Sequence, residues 1–118
     1  MHIPEIDAQS AKKKLDEGAA LFVDIRDPQS YASGRIPGAR PLGDDNVKDF
    51  LANSDKKKPV IVCCYHGHTS MGATAFLLEN GFEDVRSLTG GFAQWSAQYP
   101  KDIEATEAVN YGRRNKME

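Results

Sequence analysis

Pro59-Val60-Ile61-Val62-Cys63-Cys64-Tyr65-His66-Gly67-His68-Thr69-Ser70 is the stretch that decides the fold. Its first half is β-branched and apolar with no alternation, the composition of a strand covered on both faces, as in a parallel sheet. Its second half is a polar, Gly-containing loop that leads directly into a helical pattern. The spacing predicts that this helix buries Met71, Ala75, Leu77 and Leu78, closes near Glu79 and ends at Gly81, placed as a left-handed C-terminal glycine.

The same alternation continues outward in both directions. Upstream, Ile3 to Ile6 is a short extended start. Asp7 is an N-cap for a helix with Ala8, Ala11 and Leu15 on one face, which Gly18 ends. Leu21-Phe22-Val23-Asp24-Ile25 is a second compact apolar run, and Asp27-Pro28 is a cap and first-turn proline for a short helix to about Ser33. Gly34, Pro37 and Gly38 break that helix into loop. Ala39 to Leu42 follows as a very short strand, and Asp44 to Ala52 as a helix turning Val47, Phe50 and Leu51 inward. Lys56-Lys57-Lys58 is expected to be a solvated turn. Downstream, Val85 to Leu88 is a last strand, and Gly90-Gly91 introduces a helix over about 92–98 that buries Phe92 and Trp95. The predicted fold is α/β: a central parallel sheet of about five strands with helices on both faces. Ligands of such sheets gather at the carboxyl ends of the strands, where Cys64 and Asp24 both stand.

Length and charge narrow the function. At 118 residues the chain is one domain, expected to span 1–100 with a flexible tail over 101–118, which carries four bases and four acids with few apolar anchors. A net charge of −2 and a mean hydropathy of −0.54 offer no general attraction to nucleic acid or to an anionic membrane. The longest apolar run, Val60 to Tyr65, is far short of the ~20 residues that cross a bilayer. The first residues lack the pattern of a secretory signal, so a cytoplasmic location is expected. The two cysteines are neighbours and cannot close a disulfide framework, which leaves their value chemical.

A cysteine that ends a strand and opens a tight loop into a helix faces the loop amides and the positive end of the helix dipole, and both favour thiolate over thiol. Cys64 is therefore the expected nucleophile, and the ring of N–H groups after it an anion cradle. The plainer reading, a small buried hydrophobe, does not explain the polar loop that follows. Alternation sends Cys63 to the opposite face of the strand, against a covering helix. Two cysteines beside His66 and His68 raise a zinc reading, but four donors packed into six residues do not converge on one tetrahedral ion, so no metal is expected. The two histidines are placed at the mouth of the cradle.

Three motifs together resemble the rhodanese family. They are Val23-Asp24-Ile25-Arg26-Asp27 through Tyr31-Ala32-Ser33-Gly34-Arg35-Ile36-Pro37-Gly38-Ala39, then Cys64-Tyr65-His66-Gly67-His68-Thr69 with Ser70, and Gly90-Gly91-Phe92-Ala93-Gln94-Trp95. The resemblance implies a sulfurtransferase that needs no cofactor. Cys64 would take the outer sulfur of thiosulfate as a persulfide, release sulfite, and pass the sulfur to cyanide or to a thiol, with thioredoxin as a plausible protein acceptor. It implies substrate binding by Tyr65, His66, Gly67, His68 and Thr69, with Asp24, Arg26 and Ser70 supporting the loop from behind. Asp24 with Arg26 has a simpler reading, as a surface ion pair. Arg35 stands where the family usually has histidine, with surface packing the expected consequence, and His68 stands where asparagine is more common. A related phosphatase would need an arginine where this chain has Ser70. The alternative from another class is a catalytically minor rhodanese-like module that binds a protein partner. The sequence leaves the oligomeric state open.

Overall fold

The computed structural model describes residues 2–106. Five strands form one sheet, β1 (Glu5–Ile6), β2 (Leu21–Asp24), β3 (Arg40–Pro41), β4 (Val60–Cys63) and β5 (Val85–Leu88), in the order β1-β5-β4-β2-β3 with every neighbouring pair parallel. Between and after them run α1 (Ala8–Glu17), α2 (Pro28–Ser33), α3 (Val47–Asn53), α4 (Thr69–Glu79) and α5 (Gly91–Gln98). Parallel neighbours need crossovers, and the helices supply them.

The stretch over 59–63 becomes the middle of the sheet because every residue of β4 is buried. Alternation along β4 divides the core into two halves. Ile61 and Cys63 point to one side, with Phe22, Leu88, Ala8 and Ala11 of α1, and Trp95 of α5. Val60 and Val62 point to the other, with Val23, Val85, Phe50 of α3 and Leu77 of α4. Helices thus cover both faces, as the sequence predicts.

Local chemistry sets most element ends. Asp7 accepts from Ser10 N at 2.7 Å and Asp27 from Ser30 N at 2.9 Å, the capping bonds that start α1 and α2. Gly18, at φ 64°, ends α1. The helix expected from Asp44 begins only at Val47, because Asn46 closes a turn first, accepting from Gly43 N and donating to Pro41 O. Lys56 is not wholly solvated: its ammonium donates to Leu51 O and lies over the Phe82 ring.

Three further expectations change. On α4 the buried residues are Ser70, Thr74 and Leu77, while Met71, Ala75 and Leu78 are half-buried. Phe92 is also half-buried, and only Trp95 of the expected pair is enclosed. The segment 101–106 packs back on the domain instead of fraying. Trp95 Nε1 donates to Asp102 O at 2.9 Å, Ile103 joins the core beside α1 and α5, and Glu104 bonds Arg35 through both backbone and side chain. The rest of the expected tail, 107–118, lies outside the described residues.

Candidate active site

Cys64 is the first residue beyond β4, at the carboxyl end of the sheet's middle strand. Its sulfur lies on the face covered by α4, two positions on from Val62, and is nearly enclosed at 3% exposure. Three polar groups converge on it: Gly67 N and Ser70 N donate to the sulfur at 3.1 and 3.3 Å, and the Ser70 hydroxyl lies 3.1 Å away, an acceptor for the thiol and a donor to the thiolate. Burial pushes the thiol up, but the Ser70 hydroxyl, the Ser70 and Gly67 amides and the Thr69 hydroxyl together outweigh it and hold Cys64 below the usual thiol value. The N-terminus of α4 adds its field in the same direction.

The loop can take this shape because Gly67 lets the backbone at the junction of β5 and α5 come close to it. Gly67 sits at φ +91°, where a Cβ would lie 2.9 Å from Gly90 N and 3.2 Å from Leu88 O. The first amides of α5 hold the loop from outside, Phe92 N donating to Cys64 O at 2.8 Å and Ala93 N to Tyr65 O at 2.9 Å. The cradle is therefore built by two segments distant in sequence, the cysteine loop and the 88–93 passage from β5 into α5.

The other sequence-predicted residues divide by position. Tyr65, His66, His68 and Thr69 are exposed on the rim, with the Tyr65 and His66 rings 4.8 Å apart. Ser70 is fully buried beneath the sulfur rather than behind the loop. Asp24 and Arg26 form a buried bidentate pair, with Oδ2 to Nη2 at 2.7 Å, so the surface ion-pair reading does not hold. That pair points to the opposite face of the sheet from the Cys64 sulfur. Arg26 also donates to Gly34 O, and its guanidinium lies 4.2 Å from the Phe92 ring centroid. Its path to the cysteine loop runs through Phe92 of α5, whose amide donates to Cys64 O. Cys63, on that same face, is pushed far up by burial and by the Asp24 carboxylate. Among the described residues no three His, Cys, Asp or Glu side chains are grouped to hold a metal ion, and no helix is long and apolar enough to cross a membrane.

One residue escapes the sequence reading. Ser87, in β5, is fully buried with its hydroxyl 2.7 Å from that of Ser70. The only sequence signal is a serine at a buried position of an apolar strand. Its neighbour on α4 is not visible in the linear sequence.

A strand-end cysteine cradled by loop amides, on a five-stranded parallel sheet with helices on both faces, defines a class, and the chain belongs to it: the rhodanese-like domain family matches residues 7–98. Among the curated relatives is Thiosulfate sulfurtransferase GlpE of Pseudomonas paraeruginosa, 46% identical over 101 residues, which cover 86% of this chain and 92% of the relative. The protein of the same name from Stutzerimonas stutzeri is 50% identical over 93 residues, 79% of this chain and 85% of the relative. Among solved structures, the rhodanese-like domain of the Anabaena Alr3790 protein superposes with a TM-score of 0.77 at 30% identity, covering 89% of this chain and 80% of that one.

Proposed function

We propose that the protein is a thiosulfate sulfurtransferase in which Cys64 carries the transferred sulfur. The observation that carries this reading is the set of two amides and the Ser70 hydroxyl gathered on a buried cysteine sulfur held below the ordinary thiol value. Such a group ionises to the nucleophilic thiolate more readily than a free cysteine, without a side-chain base. The relatives bearing the name thiosulfate sulfurtransferase support the substrate.

In the first half-reaction the Cys64 thiolate attacks the outer sulfur of thiosulfate. A bond forms between the two sulfurs, the S–S bond of thiosulfate breaks, and sulfite leaves with both electrons of that bond. In the second, cyanide or a thiolate attacks the outer sulfur of the persulfide, and Cys64 departs as thiolate. The donors that stabilise it as nucleophile are the same that stabilise it as leaving group, so the cradle serves both steps without rearranging. The rim residues Tyr65, His66, His68 and Thr69, with the Gly67 backbone, are the surface that receives the sulfonate end. Thiols, including that of a small reduced protein such as thioredoxin, are the proposed cellular acceptors.

Ser70 also bears on the competing chemistry. It stands where a phosphatase of this kind needs arginine, its side chain is spent on the sulfur, and nothing there can clamp a phosphoryl group in bidentate fashion. With thiosulfate and cyanide supplied, the protein is expected to release sulfite and thiocyanate in equal amounts. Cys64→Ser is expected to lower the rate by at least about 10³-fold. Sulfite release that survives the substitution removes Cys64 from the mechanism, and a wild-type protein that releases none favours the binding-module reading.

A further inference from the structure

The pair of buried hydroxyls beneath Cys64 does more than fill space. Ser87 pairs in register with Val62 of β4 and with Glu5 of β1, and its own amide donates to Pro4 O at 2.9 Å. It is thus fixed between two strands. It shares a sheet face with Val62 and Cys64, and it meets Ser70 of α4 across that face at 2.7 Å. Ser70 in turn is 3.1 Å from Cys64 Sγ. The three groups form one line, Ser87 Oγ to Ser70 Oγ to Cys64 Sγ, closed off from solvent.

The thiol donates to Ser70 Oγ, but the thiolate has no proton to give, and in that state counting protons fixes the direction of the line. Each hydroxyl has one proton to give. If Ser70 gives its proton to Cys64, then the short contact to Ser87 is one in which Ser87 donates, and both protons are used. If Ser70 instead donated to Ser87, the sulfur would lose a donor. The Ser87 proton would also be stranded, since among the described residues Ser87 Oγ has no hydrogen-bond partner but Ser70. A buried donor left without an acceptor is the costlier arrangement. We propose, building on the sulfurtransferase reading, that Ser87 is a positioning residue for sulfur transfer, its hydroxyl committing the single Ser70 proton to the Cys64 sulfur. Donation into Ser70 also polarises its O–H toward the sulfur, as successive hydrogen bonds in a dry chain do.

The consequence differs between the two half-reactions. A thiolate deprived of this support is more basic. It attacks sulfur no more slowly once fully ionised, but it leaves a persulfide more slowly, because leaving-group ability falls as the thiol pKa rises. Ser87→Ala is nearly isosteric and keeps the backbone bonds of β5, so the fold tolerates it.

The test compares the full chain, Ser87→Ala, Ser70→Ala and the double variant. The pH profile of Cys64 alkylation by iodoacetamide is read in the absence of any sulfur donor. The midpoint is expected to move up the pH axis by roughly 0.3 to 1 in Ser87→Ala, and not further when Ser87→Ala is added to Ser70→Ala. At a pH above both midpoints, discharge of the persulfide to cyanide is expected to slow by about two-fold or more, with loading from thiosulfate not slowed. An unmoved midpoint in Ser87→Ala overturns the proposal, as does an equal shift in the Ser70→Ala background, which would mean that Ser87 does not act through Ser70. The alkylation profile does not need sulfur transfer, so a protein that never loads sulfur contradicts the sulfurtransferase reading while the relay is still decided.

Discussion

Gly91 sets how closely α5 approaches the cysteine loop. It sits at φ +58°, and a Cβ there would lie 2.6 Å from Cys64 O and from Tyr65 C and O. No flexible side chain is available to yield, so even alanine strains its own backbone and pushes on the loop's. Gly91→Ala is expected to cost about 2–3 kcal/mol in urea denaturation and to raise the Cys64 alkylation midpoint, since the amides that cradle the sulfur move with the loop. A second residue-scale contrast lies in the cysteine pair. The folded protein holds Cys64 low, so its thiolate adds stability above the ordinary thiol value of about 8.5, and that contribution is lost as pH falls through the folded value. Cys63 has the opposite sign. It is held protonated, so stability is intact below about pH 8.5 and falls as pH rises toward the raised folded value, with a limiting slope of about 1.4 kcal/mol per pH. Urea titrations between about pH 8.5 and 10 should show that decline in the native chain and lose this contribution in Cys63→Ala. That the two side chains point to opposite faces follows from strand alternation and was legible in the sequence. Ser87 was not, because its partner Ser70 is seventeen positions away on another element.

At the scale of elements, α4 shows where periodicity fails. Apolar residues occupy nearly every side of it, so spacing alone does not choose the face that packs on the sheet. The cysteine chooses it: Ser70 must lie under the sulfur, and Thr74 Oγ1, one turn on, donates to Ser70 O at 2.7 Å. Two hydroxyl residues therefore take positions that a purely apolar pattern assigns to their neighbours. The join between β2 and α5 is equally local in cause. Asp24 ends β2 on the face opposite the cysteine sulfur, and Arg26 carries its charge to the Gly34 carbonyl and the Phe92 ring. Asp24→Ala leaves a buried guanidinium without its carboxylate and is expected to cost about 3–5 kcal/mol by urea denaturation. A loss below about 1 kcal/mol would mean that the pair behaves as if solvated.

The whole molecule was legible to the extent that its order is local. Two compact, largely apolar runs, at 21–25 and 59–63, alternate with helices, and from them the parallel sheet and its carboxyl-edge site follow. The return of 101–106 was not legible, because no large apolar side chain but Ile103 marks it. What holds it is a set of long-range polar bonds, from Glu104 to Arg35 and from Trp95 to the Asp102 carbonyl. Arg35, expected to matter for surface packing, is the anchor of this return: its guanidinium also donates to Tyr31 O and Thr106 Oγ1. A chain ended at Pro100 leaves the Trp95 indole N–H without its acceptor and uncovers core beside α1 and α5, and is expected to lose about 2–4 kcal/mol of unfolding free energy. An unchanged urea midpoint would show that the return adds nothing to the domain.

The account rests on the separation of two adjacent cysteines, one sealed beneath α5 and one held below the ordinary thiol value beneath α4. The most direct test is the intact mass of the protein after one exposure to thiosulfate, followed by removal of excess donor. A gain of about 32 Da, one sulfur atom, is expected in the native chain and in Cys63→Ala, and no gain in Cys64→Ala. A gain that persists in Cys64→Ala, or one that disappears in a folded Cys63→Ala protein, would contradict it.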